Sequence, residues 1–174
     1  MIFQEQFIKG LYLIEPEKQI DERGFFARIF CEKDFASKGL DSNFIQSSIA
    51  FNFKKGTLRG MHFQMAPHEE TKIVRCTRGA IFDVVVDLRP NSPTLYKWFS
   101  IKLCPENRYM LYIPKGLAHG FQTLEDHTEV FYQMAHPYNP DSARGIRWDD
   151  PAIGITWPLP VSVISNKDQT FSWI

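Results

Sequence analysis

Short apolar and β-branched runs, broken at regular intervals by turn residues, recur along most of this chain. Leu11-Tyr12-Leu13-Ile14-Glu15 predicts a first strand, ended by Pro16 and a polar turn. Asp21-Glu22-Arg23-Gly24 is a turn signature leading into a second strand over Phe25–Phe30. Lys33–Gly39 is the best helix candidate, a short polar–apolar segment closed by Gly39 at the C′ position. Phe44–Phe53 is extended. In Gly56–Gln64 the chain turns at Gly56 and then alternates, with Leu58, Gly60, His62 and Gln64 on one side and Thr57, Arg59, Met61 and Phe63 on the other.

Strands then follow closely. Lys72–Cys76 runs to a turn at Thr77-Arg78-Gly79, and Ala80–Leu88 is β-branched enough for a central strand. After a turn at Pro90-Asn91-Ser92-Pro93 come Lys97–Leu103, Tyr109–Ile113, Gly120–Thr123 and Thr128–Ala135. This spacing belongs to an all-β sandwich or barrel, and 15 phenylalanines and four tryptophans suit a sheet-on-sheet core. The expectation is one jelly-roll domain over residues 1–174 with minor helical segments.

Charge changes little in this picture. Lysine plus arginine and aspartate plus glutamate number 20 each, so no excess points to nucleic acid or an anionic membrane. Cys31, Cys76 and Cys104 are odd in number and widely spaced, which fits neither a disulfide framework nor a zinc knuckle. No basic leader or membrane-length apolar run is present, and a cytoplasmic location is expected.

The candidate chemistry begins at His62, a histidine inside a strand with a fixed cation, Arg59, three residues earlier. Lys72, Tyr132 and Asp168 are the other groups of interest. A carboxylate orients and strengthens a histidine base, a lysine ammonium stabilises an enolate oxygen, and a tyrosine returns a proton from the opposite face. Together they describe proton exchange beside a ketone. Taken singly, each has a plainer role: His62 as a buried histidine, Tyr132 as a core aromatic, Lys72 as a solvated strand end, Asp168 as a turn former.

Ile113-Pro114-Lys115-Gly116-Leu117-Ala118-His119-Gly120 contains P-x-G-x-x-H, which resembles the second motif of cupins, a jelly-roll family. Their first motif supplies metal ligands as H-x-H, where this chain has His62-Phe63-Gln64, and an amide is a poor ligand beside imidazole. His68, Glu69 and Glu70 follow, but His68 comes after Pro67 in a predicted turn, so no metal site is assigned.

From Asp21-Glu22-Arg23-Gly24-Phe25-Phe26 to Ser165-Asn166-Lys167-Asp168 the sequence resembles the dTDP-4-dehydrorhamnose 3,5-epimerase family. Matching segments include Leu58–Gln64, Lys72–Arg75, Phe82–Arg89, Ile113–Phe121 and Trp148–Pro158. The resemblance implies a cupin-type double-stranded β-helix, a homodimer, and a nucleotide diphosphate 4-keto-6-deoxyhexose substrate handled without metal or coenzyme. It places the general base on His62 with Asp168 as its partner, the keto-oxygen cation on Lys72 and the proton donor on Tyr132. His119 and Lys167 fall on residues lining the sugar and nucleotide site, Arg23 and Arg59 on the arginines that hold the diphosphate, and Tyr138 on the aromatic that stacks on the base. Gln46 opens a segment extended toward the base, in part from the partner subunit.

Departures from that pattern cluster. Arg28, Ser48 and Ala143 stand where a glutamate, an asparagine and a glutamate are expected, and one extra residue lies between Gln46 and Arg59. These positions concern the nucleotide end, so the expectation is retained chemistry with altered recognition of base or sugar, the alternative being neutral drift. Inversion at C3 alone or at C3 and C5 is open at this point. Three other readings stand beside it: a 3,4-ketoisomerase, a non-catalytic nucleotide-sugar-binding jelly roll and a metal-dependent cupin.

Overall fold

The computed structural model describes residues 1–174. Its first elements are β1 (Ile2–Glu5), β2 (Tyr12–Glu15), β3 (Lys18–Asp21), β4 (Gly24–Ala27), α1 (Glu32–Ser37), β5 (Gln46–Asn52), β6 (Leu58–Gln64) and β7 (Lys72–Arg78). They continue with β8 (Ile81–Asp87), β9 (Trp98–Leu103), β10 (Met110–Ile113), β11 (Leu117–Thr123), β12 (Thr128–Met134), β13 (Ala143–Gly145) and α2 (Asn166–Gln169). A six-stranded sheet, β1-β2-β10-β7-β12-β5, faces a five-stranded sheet, β13-β6-β11-β8-β9, and β3 and β4 form a separate hairpin. Every strand pair is antiparallel, which gives the expected cupin-type jelly roll.

Period-two patterning explains the layers. Val74, Cys76, Leu111, Ile113 and Val130 from the larger sheet meet Ile81, Val85, Leu103, Leu117 and Phe121 from the smaller one in the central core. The intervening positions cover the outer faces. Met61, Val84, Val86 and Ala118 pack under Ile146 and Ile153, while Ile14, Ile73, Met110 and Tyr112 pack under Phe35 of α1. The core fills one end of the sandwich; toward the other, inward positions turn polar and the sheets enclose a cavity.

Four expectations need correction. The segment after Pro16 is not only a turn: Lys18–Asp21 pairs with Gly24–Ala27, so the second strand ends at Ala27 rather than Phe30. His119 lies inside β11, two residues after its start, rather than in the turn before it. The helix begins at Glu32, although Gly39 does take the left-handed conformation, at φ +70°. The fourth concerns β6, where alternation fails at its centre. His62 pairs with His119 but Arg59 pairs with Phe121, so three steps on β6 match two on β11. The extra residue is a β-bulge, and it rotates Arg59 onto the same wall as His62 instead of the opposite one. Gly60 makes this possible: its φ is +137°, and a Cβ there would stand 2.6 Å from Gly120 Cα.

Candidate active site

The main cavity, about 670 Å³, is lined by β5, β6, β7, β12, β13 and the segment around α2. It adjoins a smaller inner void of about 180 Å³, whose walls include Arg59, His62, Lys72, His119 and Tyr132. Arg59 and His62 come from β6 and His119 from β11 on one sheet; Lys72 from β7 and Tyr132 from β12 face them from the other.

His62 Nε2 lies 2.8 Å from Asp168 Oδ1, and Gly60 N donates to Asp168 Oδ2 at 3.2 Å. A carboxylate can only accept, so Nε2 carries the proton and Nδ1 keeps its lone pair. Asp168 is 5% exposed, at the end of a chain segment 106 residues away. The short helix α2 brings it there, with Ser165 as N-cap accepting from Asp168 N at 3.0 Å. Burial alone would raise the Asp168 carboxyl, but the hydrogen bond from His62, with the Gly60 amide and Ser165, holds it below its usual range. Phe171 stands edge-on to the His62 ring at 5.9 Å. Gly145, opposite His62 on β13, leaves room for it, since a Cβ would fall 2.2 Å from the Phe171 ring.

A second imidazole is held in the same way. His119 Nε2 lies 2.8 Å from Oδ1 of Asp83, a carboxylate on β8 that is fully buried. Lys72 Nζ is 2.6 Å from Glu70 Oε1, and both side chains are largely covered. At the inner end, therefore, the Lys72 ammonium faces a carboxylate, and each imidazole is anchored to one.

At the outer end, Gln46, Ser48, Tyr138, Ala143 and Lys167 line the main cavity. Arg59 Nε donates to Asn52 Oδ1 at 2.8 Å, leaving its guanidinium without a carboxylate partner. Gln64, the residue in the place of a cupin ligand, ties the rim together. Its Nε2 donates to His68 O at 2.9 Å and its Oε1 accepts from Asn139 N at 2.6 Å. His62, Asp168, Tyr132, Lys72, Gln46, Ser48, Arg59, His119, Tyr138 and Lys167 are thus brought together around connected cavities.

Arg23 and Arg28 are not. Both ride on or beside the β3–β4 hairpin, which belongs to neither main sheet. The Arg23 guanidinium is 84% exposed and turned back on Asp21, while Arg28 borders a small surface pocket with Glu17 and Asp34. Their sequence positions gave no warning of this, because a hairpin projecting from a sandwich has the same alternation as one inside it. Sequence reasoning also missed Asp83, Asn52 and Phe171, which contact His119, Arg59 and His62 from behind the cavity walls. Asp83 is an acid inside an apolar strand run, Phe82–Leu88, and that misplaced charge was the available signal.

The family model described as dTDP-4-dehydrorhamnose 3,5-epimerase matches residues 5–174. A dTDP-4-dehydrorhamnose 3,5-epimerase of Sinorhizobium fredii is 46% identical over 171 residues, covering 98% of this chain and 88% of that protein. The crystal structure of such an epimerase from Elizabethkingia anophelis superposes with a TM-score of 0.96 at 36% identity, covering 99% of this chain and 96% of that one. One from Bacillus anthracis, with TDP and PPi bound, gives 0.95 at 36% identity over 99% of each chain.

Proposed function

The chain belongs to the dTDP-4-dehydrorhamnose 3,5-epimerase family, and from that membership and the cavity's arrangement we propose that it inverts C3 and C5 of a dTDP-4-keto-6-deoxyhexose. His62 Nδ1 takes the proton from the carbon beside the ketone. The bonding pair moves into an enolate whose oxygen lies against the Lys72 ammonium, and Asp168 stabilises the imidazolium that forms. Tyr132 then protonates the same carbon from the other side, and the phenolate and imidazolium return to their starting states through solvent. Base, cation and acid are supplied by the chain's own side chains, with residues 1–174 acting as one unit. His119, held by Asp83, lines the sugar site; Arg59 and Lys167 attract the diphosphate; Tyr138 stacks on the base, beside Gln46 and Ser48.

One observation carries this reading. His62 and Tyr132 border the same void from opposite sheets, so a ring held between them meets a base on one face and an acid on the other. Turnover in deuterium oxide tests it. Label at both carbons supports the double inversion, and label at C3 alone narrows the enzyme to a 3-epimerase. A ketone moved from C4 to C3 marks a ketoisomerase. No exchange by the wild-type protein leaves only a binding module and overturns the proposal.

The working form is a homodimer in the cytoplasm, where free Cys31, Cys76 and Cys104 stay reduced. Uncovered apolar surface supports the dimer. The inward face of β5 lines the cavity, while its outward face exposes Ile49 and Phe51 along a free sheet edge, and the β3–β4 hairpin exposes Ile20 and Phe26. A second copy receiving that hairpin would take Arg23 and Arg28 toward its own diphosphate end. Sedimentation of the wild type and of Phe51→Asp checks this, a monomeric wild type being the contrary result.

A further inference from the structure

His68 and His136 lie outside the cavity, on the turns that follow β6 and β12, and the proposed reaction uses neither. Their rings stand 5.0 Å apart at 65°, with His68 Nδ1 3.4 Å from His136 Nε2. At that separation the two rings share only a long, weak hydrogen bond. The same separation matches one edge of a tetrahedral ion: two imidazole nitrogens, each about 2.0–2.1 Å from zinc, sit roughly 3.3–3.4 Å from each other.

The opposite side of His136 strengthens the match. Its Nδ1 is 3.1 Å from Pro137 O, and a carbonyl only accepts, so Nδ1 bears the proton and Nε2 offers its lone pair toward His68. A backbone carbonyl on the far nitrogen is the usual outer partner of a metal-bound imidazole. The backbone below is fixed as well, because Gln64 Nε2 donates to His68 O at 2.9 Å and to Pro137 O at 3.3 Å. Both rings are half-buried and so remain open to solvent on one side.

The geometry points to a two-histidine site for a divalent transition ion of the zinc or copper class, which imidazole favours. No further histidine, cysteine or carboxylate joins the pair in a three-ligand group, so water completes the shell. An ion here would staple the turn after β6 to the turn carrying Tyr138, two residues beyond His136 and on the rim of the cavity.

Calorimetric titration with zinc chloride tests the assignment, using wild type, His136→Gln, His68→Gln and His62→Asn, each checked by circular dichroism. The expected result is one equivalent bound by wild type, at least about tenfold weaker binding in either turn variant, and binding retained in His62→Asn. Wild type taking up no zinc, or turn variants titrating like wild type, would overturn it. Loss of binding only in His62→Asn would move the ion to the cavity and overturn it equally.

Discussion

Asp168→Asn isolates the contribution of the carboxylate behind His62. The carboxylate accepts twice, from His62 Nε2 at 2.8 Å and from Gly60 N at 3.2 Å. An amide has only one oxygen. If that oxygen keeps the Gly60 bond, the NH₂ faces His62, Nε2 becomes the acceptor, and Nδ1 carries a proton where a lone pair is needed. If it keeps the His62 bond, the NH₂ meets the Gly60 N–H inside a site where Asp168 is 5% exposed, at a cost of about 1–3 kcal/mol for unpaired donors. Either way His62 loses the tautomer or the position that the proposed proton abstraction requires. The expected loss in kcat is about 10²–10⁴-fold, the range of general acid–base catalysis, or roughly 2.7–5.5 kcal/mol of barrier. KM and the affinity for thymidine diphosphate should change little, because Asp168 touches the imidazole and not the diphosphate. Deuterium exchange at C3 and C5, followed by proton NMR at saturating substrate, measures the rate, and thermal unfolding confirms the fold. Exchange within about threefold of wild type would refute a catalytic role for the pair.

Three other outcomes follow from particular contacts. Tyr132→Phe should keep deuterium exchange on the His62 face while inversion falls by about 10²-fold or more, and equal loss of both would place the acid elsewhere. Gly60→Ala should lower stability by about 1–3 kcal/mol and Tm by roughly 3–10 °C, because its φ of +137° and the 2.6 Å approach to Gly120 Cα exclude a methyl group. Asp87 is fully buried; burial would raise its carboxyl, but hydrogen bonds from Arg89, Ser92 and Thr94 hold it well below the usual range. Its stabilisation is therefore complete above the unfolded carboxyl value of about 3.9 and disappears as pH falls toward the folded one. Asp87→Asn should cost about 3–5 kcal/mol at neutral pH and flatten the acid limb of urea-denaturation stability against pH.

The sandwich was readable because its strands obey period two, and because Phe, Val and Ile mark the faces that pack. The helix was found from Gly39, which takes the left-handed conformation at its end. His62 stood out as a polar residue amid a strand, but its partner could not be derived from spacing: 106 residues separate it from Asp168, and family resemblance alone joined them. What escaped was set by the third dimension. The β6 bulge depends on Gly60 meeting Gly120 on another strand, so strict alternation put Arg59 on the wrong wall. The direction of the β3–β4 hairpin, and with it the place of Arg23 and Arg28, leaves no trace in local patterning. Asp83 was hidden in plain view, as the acid in an apolar run that anchors His119.

Because the imidazole at position 62 and the phenol at position 132 belong to facing sheets, the gap between them is gauged by side chains that line neither cavity. Val74, Val85, Leu111 and Leu117 act as spacers between the two walls. If His62 and Tyr132 exchange protons with a ring held between them, as proposed, trimming or enlarging one spacer would change the reach from one to the other, and bulk deep in the sandwich would tune both reaction rate and the size of sugar admitted.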